Sequence, residues 1–161
     1  MNLDELRGRP VITIDGGERM GTVSDGVVDV SERKLVALLV TAGGLLGGSR
    51  HTLRTEAIHR IGPDAIMVQN RASLQEGENV PESLVRASDV RKRSVITESG
   101  RELGSVADLH LNDDYGFSDV EMTTNGGLLG MFGNTTKFPV SEVVAFGDVV
   151  TVRDSLVRES A

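Results

Sequence analysis

The chain of 161 residues contains no cysteine and no tryptophan, and its aromatic residues are four phenylalanines and one tyrosine. Without cysteine there are no disulfide bonds and no thiolate metal sites, and nothing indicates an oxidising compartment. No apolar run approaches the ~20 residues of a membrane-spanning helix, and the acidic start at residues 1–5 does not resemble a secretion signal. We therefore expect a cytoplasmic protein.

Positive charge is also scarce, since 17 basic residues face 24 acidic ones and the net charge is −7. An acidic chain with few aromatic side chains lacks the positive field and the stacking surfaces that general nucleic-acid binders use. The one local basic cluster, Arg-Lys-Arg at 91–93, is interpreted as the solvated entrance of a strand. We expect no general binding of nucleic acid.

What the sequence does contain is an internal repeat. Gly-Gly-Leu-Leu-Gly at 43–47 returns at 126–130, which is 83 residues later. Two further segments recur in the same order, 7–13 as 91–97 and 18–23 as 101–106. A fixed internal period predicts two copies of one structural unit. The predicted boundaries are 1–70 for the first copy, 71–89 for a linker, 90–153 for the second copy and 154–161 for a tail.

Each copy has the pattern of a series of short strands. Segments rich in Val, Ile, Leu and Thr are separated by Gly, Asp and Asn turns, which is typical of β-structure. The predicted strands are 10–14, 20–30, 34–42, 51–54, 57–61 and 65–69, then 94–97, 103–112, 117–124, 135–138, 142–146 and 149–152. Six short strands are enough to close into a small barrel, which leaves no exposed edge. The sequence predicts an all-β protein of two tandem six-stranded β-barrels.

The third strand of the second copy has a clear inside and outside. Val120 and Met122 alternate with Asp119 and Glu121. Because successive side chains of a strand point to opposite faces, the two apolar residues are predicted to face the core. The acidic residues then face solvent.

The same strand of the first copy is apolar on both faces. A step of 83 residues places Ala37 and Leu39 inside and Val36, Leu38 and Val40 on the opposite face. A strand that is apolar on both faces is normally buried on both. We therefore expect this outer face to be covered by the second copy in the first instance, or else by the linker or another chain.

The Gly-Gly-Leu-Leu-Gly loops allow two interpretations. Their leucines either plug the barrel or insert into a partner, and burial is the commoner fate of leucine. Met131-Phe132 extends the second loop, where the first has Gly48-Ser49, and this favours a partner there. The candidate interaction residues of the whole chain are Val36, Leu38, Val40, Leu128, Leu129, Met131 and Phe132.

The remaining polar residues form no catalytic or metal-binding pattern. His51, His59 and His110 lie far apart in sequence, without carboxylates at ligand spacing. The acidic group between 108 and 119 lacks the order of an EF-hand, and no nucleophile–base arrangement can be assembled. Asp25 and Asp108, which recur, are interpreted as structural carboxylates at a turn or bulge. We expect no enzyme, no metal and no cofactor.

The ordered set of motifs, found twice, resembles the PRC-barrel family, which is named from the cytoplasmic domain of the photosynthetic reaction-centre H subunit. The segments that carry the resemblance are 6–12, 18–23, 43–47 and 57–62, then 91–97, 101–106, 126–130 and 139–143. The resemblance covers nearly the whole chain apart from the linker and the tail. It implies six-stranded barrels that serve mainly as docking modules, and it supplies no catalytic residues.

Two classes of function follow. The first is a scaffold of two barrels around an internal twofold axis, which docks a protein partner such as a membrane-associated complex or a second copy of the chain. The second is a barrel pair that binds a small ligand or a metal. Association with RNA or the ribosome is implied by the resemblance alone, and the acidic charge opposes it.

Overall fold

The computed structural model of the protein describes residues 1–43, 48–124 and 134–159. The first copy contains β1 (Pro10–Thr13), β2 (Arg19–Asp29), β3 (Lys34–Thr41), β4 (Arg50–Arg54), β5 (Arg60–Ile61) and β6 (Ile66–Val68). The linker contributes β7 (Gln75–Glu76) and β8 (Val85–Arg86). The second copy contains β9 (Ser94–Thr97), β10 (Glu102–Leu111), β11 (Phe117–Thr124), β12 (Thr135–Pro139), β13 (Val143–Phe146) and β14 (Val150–Val152). Three short helices are α1 (Leu3–Leu6), α2 (Ala87–Val90) and α3 (Ser155–Glu159).

These strands form two sheets, and the predicted all-β class is confirmed. The first sheet has the order β5-β6-β1-β2-β3-β4-β7, with β8 pairing on β2. The second has the order β12-β11-β10-β9-β14-β13. In the described ranges the two end strands of each sheet do not pair with each other, so the sheets are open where closed barrels were expected. The first sheet also has eight strands rather than six, because the linker adds two.

The centre of each sheet is built in the same way. β1 and β9 each pair antiparallel with the long strand that follows and parallel with the last strand of their copy. The buried hydroxyl of Thr13 accepts a hydrogen bond from the N–H of Glu18, and that of Thr97 from the N–H of Arg101, both at 3.0 Å. Each hydroxyl thus satisfies a backbone donor in a tight turn beside the core.

Two repeated glycines mark places where neighbouring strands approach closely. A Cβ on Gly21 would lie 2.5 Å from the carbonyl oxygen of Thr41, and one on Gly104 would lie 2.0 Å from that of Thr123. Gly21 also has a φ of 148°, which residues with a side chain rarely adopt. A side chain at either position would force the long strand away from its partner.

Gly104→Ala is therefore expected to lower the free energy of unfolding by about 1–3 kcal/mol, as overpacking of a close contact does. Urea unfolding followed by far-UV circular dichroism measures the change. Gly147→Ala is the matched control, since a Cβ there meets no atom within 4 Å. Equal stability of the two variants would contradict the close approach of β10 and β11.

A short segment before the first strand of each copy lies on the other copy: residues 1–6 lead into β1, and residues 85–90, at the end of the linker, lead into β9. α1 packs on β10, and the backbone of Asn2 bridges to His110. In the same way α2 packs on β2, and β8 pairs with Val27 and Val28. We refer to residues 1–6 and 85–90 as the two arms. Each copy thus donates an arm and receives one.

A carboxylate on the long strand receives each arm. Asp108, which is 7% exposed, accepts hydrogen bonds from the side-chain amide of Asn2 at 3.0 Å and from the N–H of Asp4 at 3.3 Å. The half-buried Asp25 accepts from the N–H of Ser88 at 3.2 Å. Both carboxylates lie at irregularities in the strand pairing, as predicted for structural residues at a bulge. Their partners across the repeat were not predicted.

The hairpin tips of the two sheets also meet. The N–H of Leu35 donates to the carbonyl of Tyr115 at 2.9 Å, and the N–H of Phe117 donates to the carbonyl of Arg33 at 2.8 Å. One core cluster of buried side chains contains residues of both copies. Because each surface contacts its own equivalent, the copies are interlocked around an approximate twofold axis, as in an isologous dimer.

Candidate interaction surface

The outer face of the first sheet is covered by the linker. A small second cluster there has Val27, Ala37 and Leu39 as its buried members, with Val36, Val80 and Leu84 packed on it. Val80 and Leu84 belong to the linker and not to the second copy. Of the three covers considered for this face, the linker is the one observed, and the leading expectation, the second copy, is wrong.

The residues predicted to lie on that outer face also differ from those observed there. Leu38 and Val40 are 1% and 0% exposed and belong to the main core, whereas Ala37 and Leu39 point outward to the linker. Val36 is the extra residue of a bulge and packs with the outer cluster. The face predicted for Leu38 and Val40 is wrong.

A difference in turn length causes the error. The first hairpin has six residues between Val28 and its partner Leu35, the pair equivalent to Leu111 and Phe117. The second has five, between Leu111 and Phe117. Beyond this turn the equivalent residues are 82 apart instead of 83, and in a strand a step of one residue exchanges the two faces.

With the register corrected, the second copy presents a polar face where the first is apolar. Its positions equivalent to Val27 and Leu39 are His110 and Glu121. The imidazole Nε2 of His110 lies 2.9 Å from Glu121 Oε2, and both residues are half-buried. Among the described residues no apolar cluster covers this face. The contrast between the copies that the sequence indicated is present, at shifted positions.

The edges of the two sheets differ as well. β4 pairs on its outer side with β7, where His51 lies opposite Glu76. The N–H of Gly77 continues this pairing by donating to the carbonyl of Arg50 at 2.7 Å. β12 occupies the place equivalent to β4, and in the described part of the chain it pairs with β11 alone. The first edge is closed by the linker, and within residues 1–43, 48–124 and 134–159 the second edge has no such partner strand.

Polar contacts hold the linker on the first edge. The carboxylate of Glu78 lies 2.7 Å from the guanidinium of Arg86 and 3.4 Å from that of Arg50. The hydrogen bond from Arg86 is the main cause that holds the pKa of Glu78 below its ordinary value of 4.5. The hydroxyl of Thr52 donates to the carbonyl of Gly77 at 2.7 Å. The segment that closes the edge is therefore acidic and bound through both backbone and side chains.

A cleft of about 490 Å³ opens beside β12. Its apolar walls are Leu103, Met122, Phe138 and Leu156, and Thr136 and Lys137 lie at its polar side. The lining contains no carboxylate in the described residues. Because the cleft and the open edge adjoin, a segment that pairs with β12 could place a side chain in the cleft.

The other predicted interaction residues, Leu128, Leu129, Met131 and Phe132, lie outside the described residues. Within the described ranges no group of three or more His, Asp or Glu side chains could hold a metal ion. His59 pairs with Gln69 at 3.1 Å, and Asp114 accepts the N–H of Gly116 within its hairpin turn. The candidate surface is therefore the outer face and free edge of the second copy.

This edge was not predicted from the sequence, because it depends on which distant segment pairs with each end strand. The run Leu-Gln-Glu-Gly-Glu at 74–78 nevertheless occurs once in the chain, and residues 155–159, which follow the last strand of the second copy, form α3. The two copies therefore differ in the sequence that follows their last strands, and this is the local signal that their edges differ.

The comparisons with known proteins agree with this repeat. A family model of the PRC-barrel domain matches residues 1–75 and again residues 82–156. The chain belongs to the PRC-barrel family and carries its domain twice. No curated protein matches the chain. Among the described residues, no helix has the length and apolar character needed to cross a membrane.

Proposed function

We propose that this tandem PRC-barrel protein is a non-catalytic interaction module that docks a protein partner on its second copy. The observation that carries the proposal is that the two equivalent edge strands, β4 and β12, differ in their pairing. The linker pairs with β4 and covers the face beside it, while no described segment does either at β12 and its neighbouring face. Sheet edges with free backbone groups are common sites of strand addition by partners.

The buried polar side chains support a structural rather than a catalytic use of the fold. These are Thr13, Thr52, Thr97 and Asp108. Each one is engaged with backbone groups of turns, linker or arm. A catalytic group needs access to a substrate and a proton or lone pair available for transfer, whereas these four buried side chains make their hydrogen bonds to backbone groups.

Site-specific photo-cross-linking in the source cells tests the proposal. A benzophenone amino acid at Lys137, on the free edge, is expected to capture one protein reproducibly and at high yield. The matched control carries the same group at Arg54, an exposed residue of β4 in the first copy. Equal patterns from the two sites would contradict docking on the second copy. A stoichiometric small molecule in native mass spectra, without a cross-linked protein, would favour ligand binding instead.

A further inference from the structure

We propose that the edge of β12 and the adjoining cleft bind an extended acidic segment of the partner, which adds a β-strand and inserts one apolar side chain. This inference rests on the proposed function and specifies the chemistry of the partner. The predicted chemistry is taken from the first copy, whose edge strand β4 is already paired with the linker strand β7.

The first copy provides the template in residues 74–78. Leu74 is 8% exposed and lies in the main core, directly before β7. Gln75 and Glu76 then pair with β4, and Glu78 follows with its two arginine partners. The segment that closes this edge is thus an apolar anchor followed by a short strand and acidic side chains.

The second copy has the backbone groups for the same pairing. The N–H of Thr124 donates to the carbonyl of Asn134 at 2.9 Å, so the backbone N–H and C=O of residue 134 point toward β11. Because backbone groups alternate in an antiparallel pair, residues 135, 137 and 139 direct theirs outward. Pro139 has no N–H, which suits an edge position. The outward donor in the middle of β12 is the N–H of Lys137.

The side chains beside this edge match the template in chemistry. The cleft offers Leu103, Met122 and Phe138 to an apolar anchor. Lys137 is exposed at its rim and forms no ion pair among the described residues, whereas Glu121 across the strand pair is engaged by His110. An acidic segment is therefore favoured over a basic one. Residues 155–159 of the chain form the helix α3 and not a strand, and Leu156 is one wall of the cleft.

The test uses a fluorescein-labelled peptide with the sequence of residues 73–78 (Ser-Leu-Gln-Glu-Gly-Glu), titrated with the full chain and followed by fluorescence anisotropy. Lys137→Pro removes the outward N–H and is expected to weaken binding about tenfold or more, while Lys137→Ala keeps the N–H and weakens it only about twofold to threefold. A peptide with alanine in place of its leucine is expected to bind about tenfold more weakly. Amide chemical shifts of residues 135–139 in the wild-type protein report the site directly.

Three results would overturn the inference: no binding of the peptide, equal binding to Lys137→Pro and wild type, or shift changes that avoid β12. A wild-type dimer in sedimentation velocity that Lys137→Pro converts to monomer would also overturn it, since a second copy would then occupy the edge. A cross-linked partner at Lys137 together with no peptide binding defeats this inference alone. Peptide binding at β12 with no cross-linked partner defeats the proposed function alone.

Discussion

Leu38→Glu is expected to leave the protein largely unfolded, with a loss of about 5 kcal/mol or more in the free energy of unfolding. The side chain of Leu38 is 1% exposed in the main core. Its replacement removes an apolar side chain and buries an unpaired charge, two of the costliest changes in a core. A loss of this size is comparable to the whole stability of a small domain. Far-UV circular dichroism at increasing urea concentration gives the result.

Leu39→Glu, one residue away, is the informative control. If the two copies aligned at a constant spacing of 83 residues, Leu38 would correspond to Glu121 and the protein would tolerate a glutamate at 38. In the observed strand pairing, Leu39 corresponds to Glu121 instead. The carboxylate at 39 reaches solvent once the linker lifts from the outer face, so we expect a smaller loss of about 2–3 kcal/mol. Faster cleavage at Glu82 by a protease specific for glutamate would report the released linker. Equal stability of the two variants would contradict the corrected register.

Asp108→Ala is expected to lower the free energy of unfolding by about 2–4 kcal/mol. The change removes a buried carboxylate and leaves the N–H of Asp4 and the side-chain amide of Asn2, both part-buried, without their acceptor, and each such loss is costly. The N–H of Leu109, 2.8 Å from the same carboxylate, loses its partner too. The first arm should then detach from β10, and hydrogen exchange at residues 2–6 is expected to accelerate.

Asp25→Ala is the matched control across the repeat. Asp25 receives the second arm through Ser88, but it is only half-buried, and water can replace the lost acceptor. We expect a loss of about 1 kcal/mol in the free energy of unfolding, and faster hydrogen exchange at residues 85–90 alone. A loss equal to that of Asp108→Ala would show that burial does not set the cost. Faster exchange in both arms with either variant would show that the arms are not held separately.

The positions of the strands could be predicted from the sequence, because alternation and turn residues are local signals. β3 and β11 were placed almost to the residue from their Val, Leu and Thr patterns. Which face of β3 lies in the main core could not be predicted in the same way. It depended on one extra residue between Val28 and Leu35 relative to Leu111 and Phe117, and the turn residues of the first hairpin gave no sign of this difference.

The pairing of short segments with distant strands could not be predicted. β7 and β8 have two residues each, too few for any periodic pattern, and their partners lie more than twenty residues away or in the other copy. The open edge of β12 is likewise defined only by the absence of such a pairing among the described residues. For the same reason the linker was only one of three possible covers of the outer face, and Ala37 and Leu39 were not placed on that face.

The exchange of arms has a consequence for how the two halves can evolve. In a homodimer with the same interlocking, every substitution appears on both subunits, so a change that benefits one surface is imposed on its equivalent. Here the halves share one chain, and each arm meets its strand at a high effective concentration that dilution does not alter. Asp25 and Asp108 can hold the two arms in place while the outer faces diverge. One sheet then has His110 and Glu121 where the other has Val27 and Leu39. Duplication within one chain thus permits an asymmetric surface on a symmetric frame.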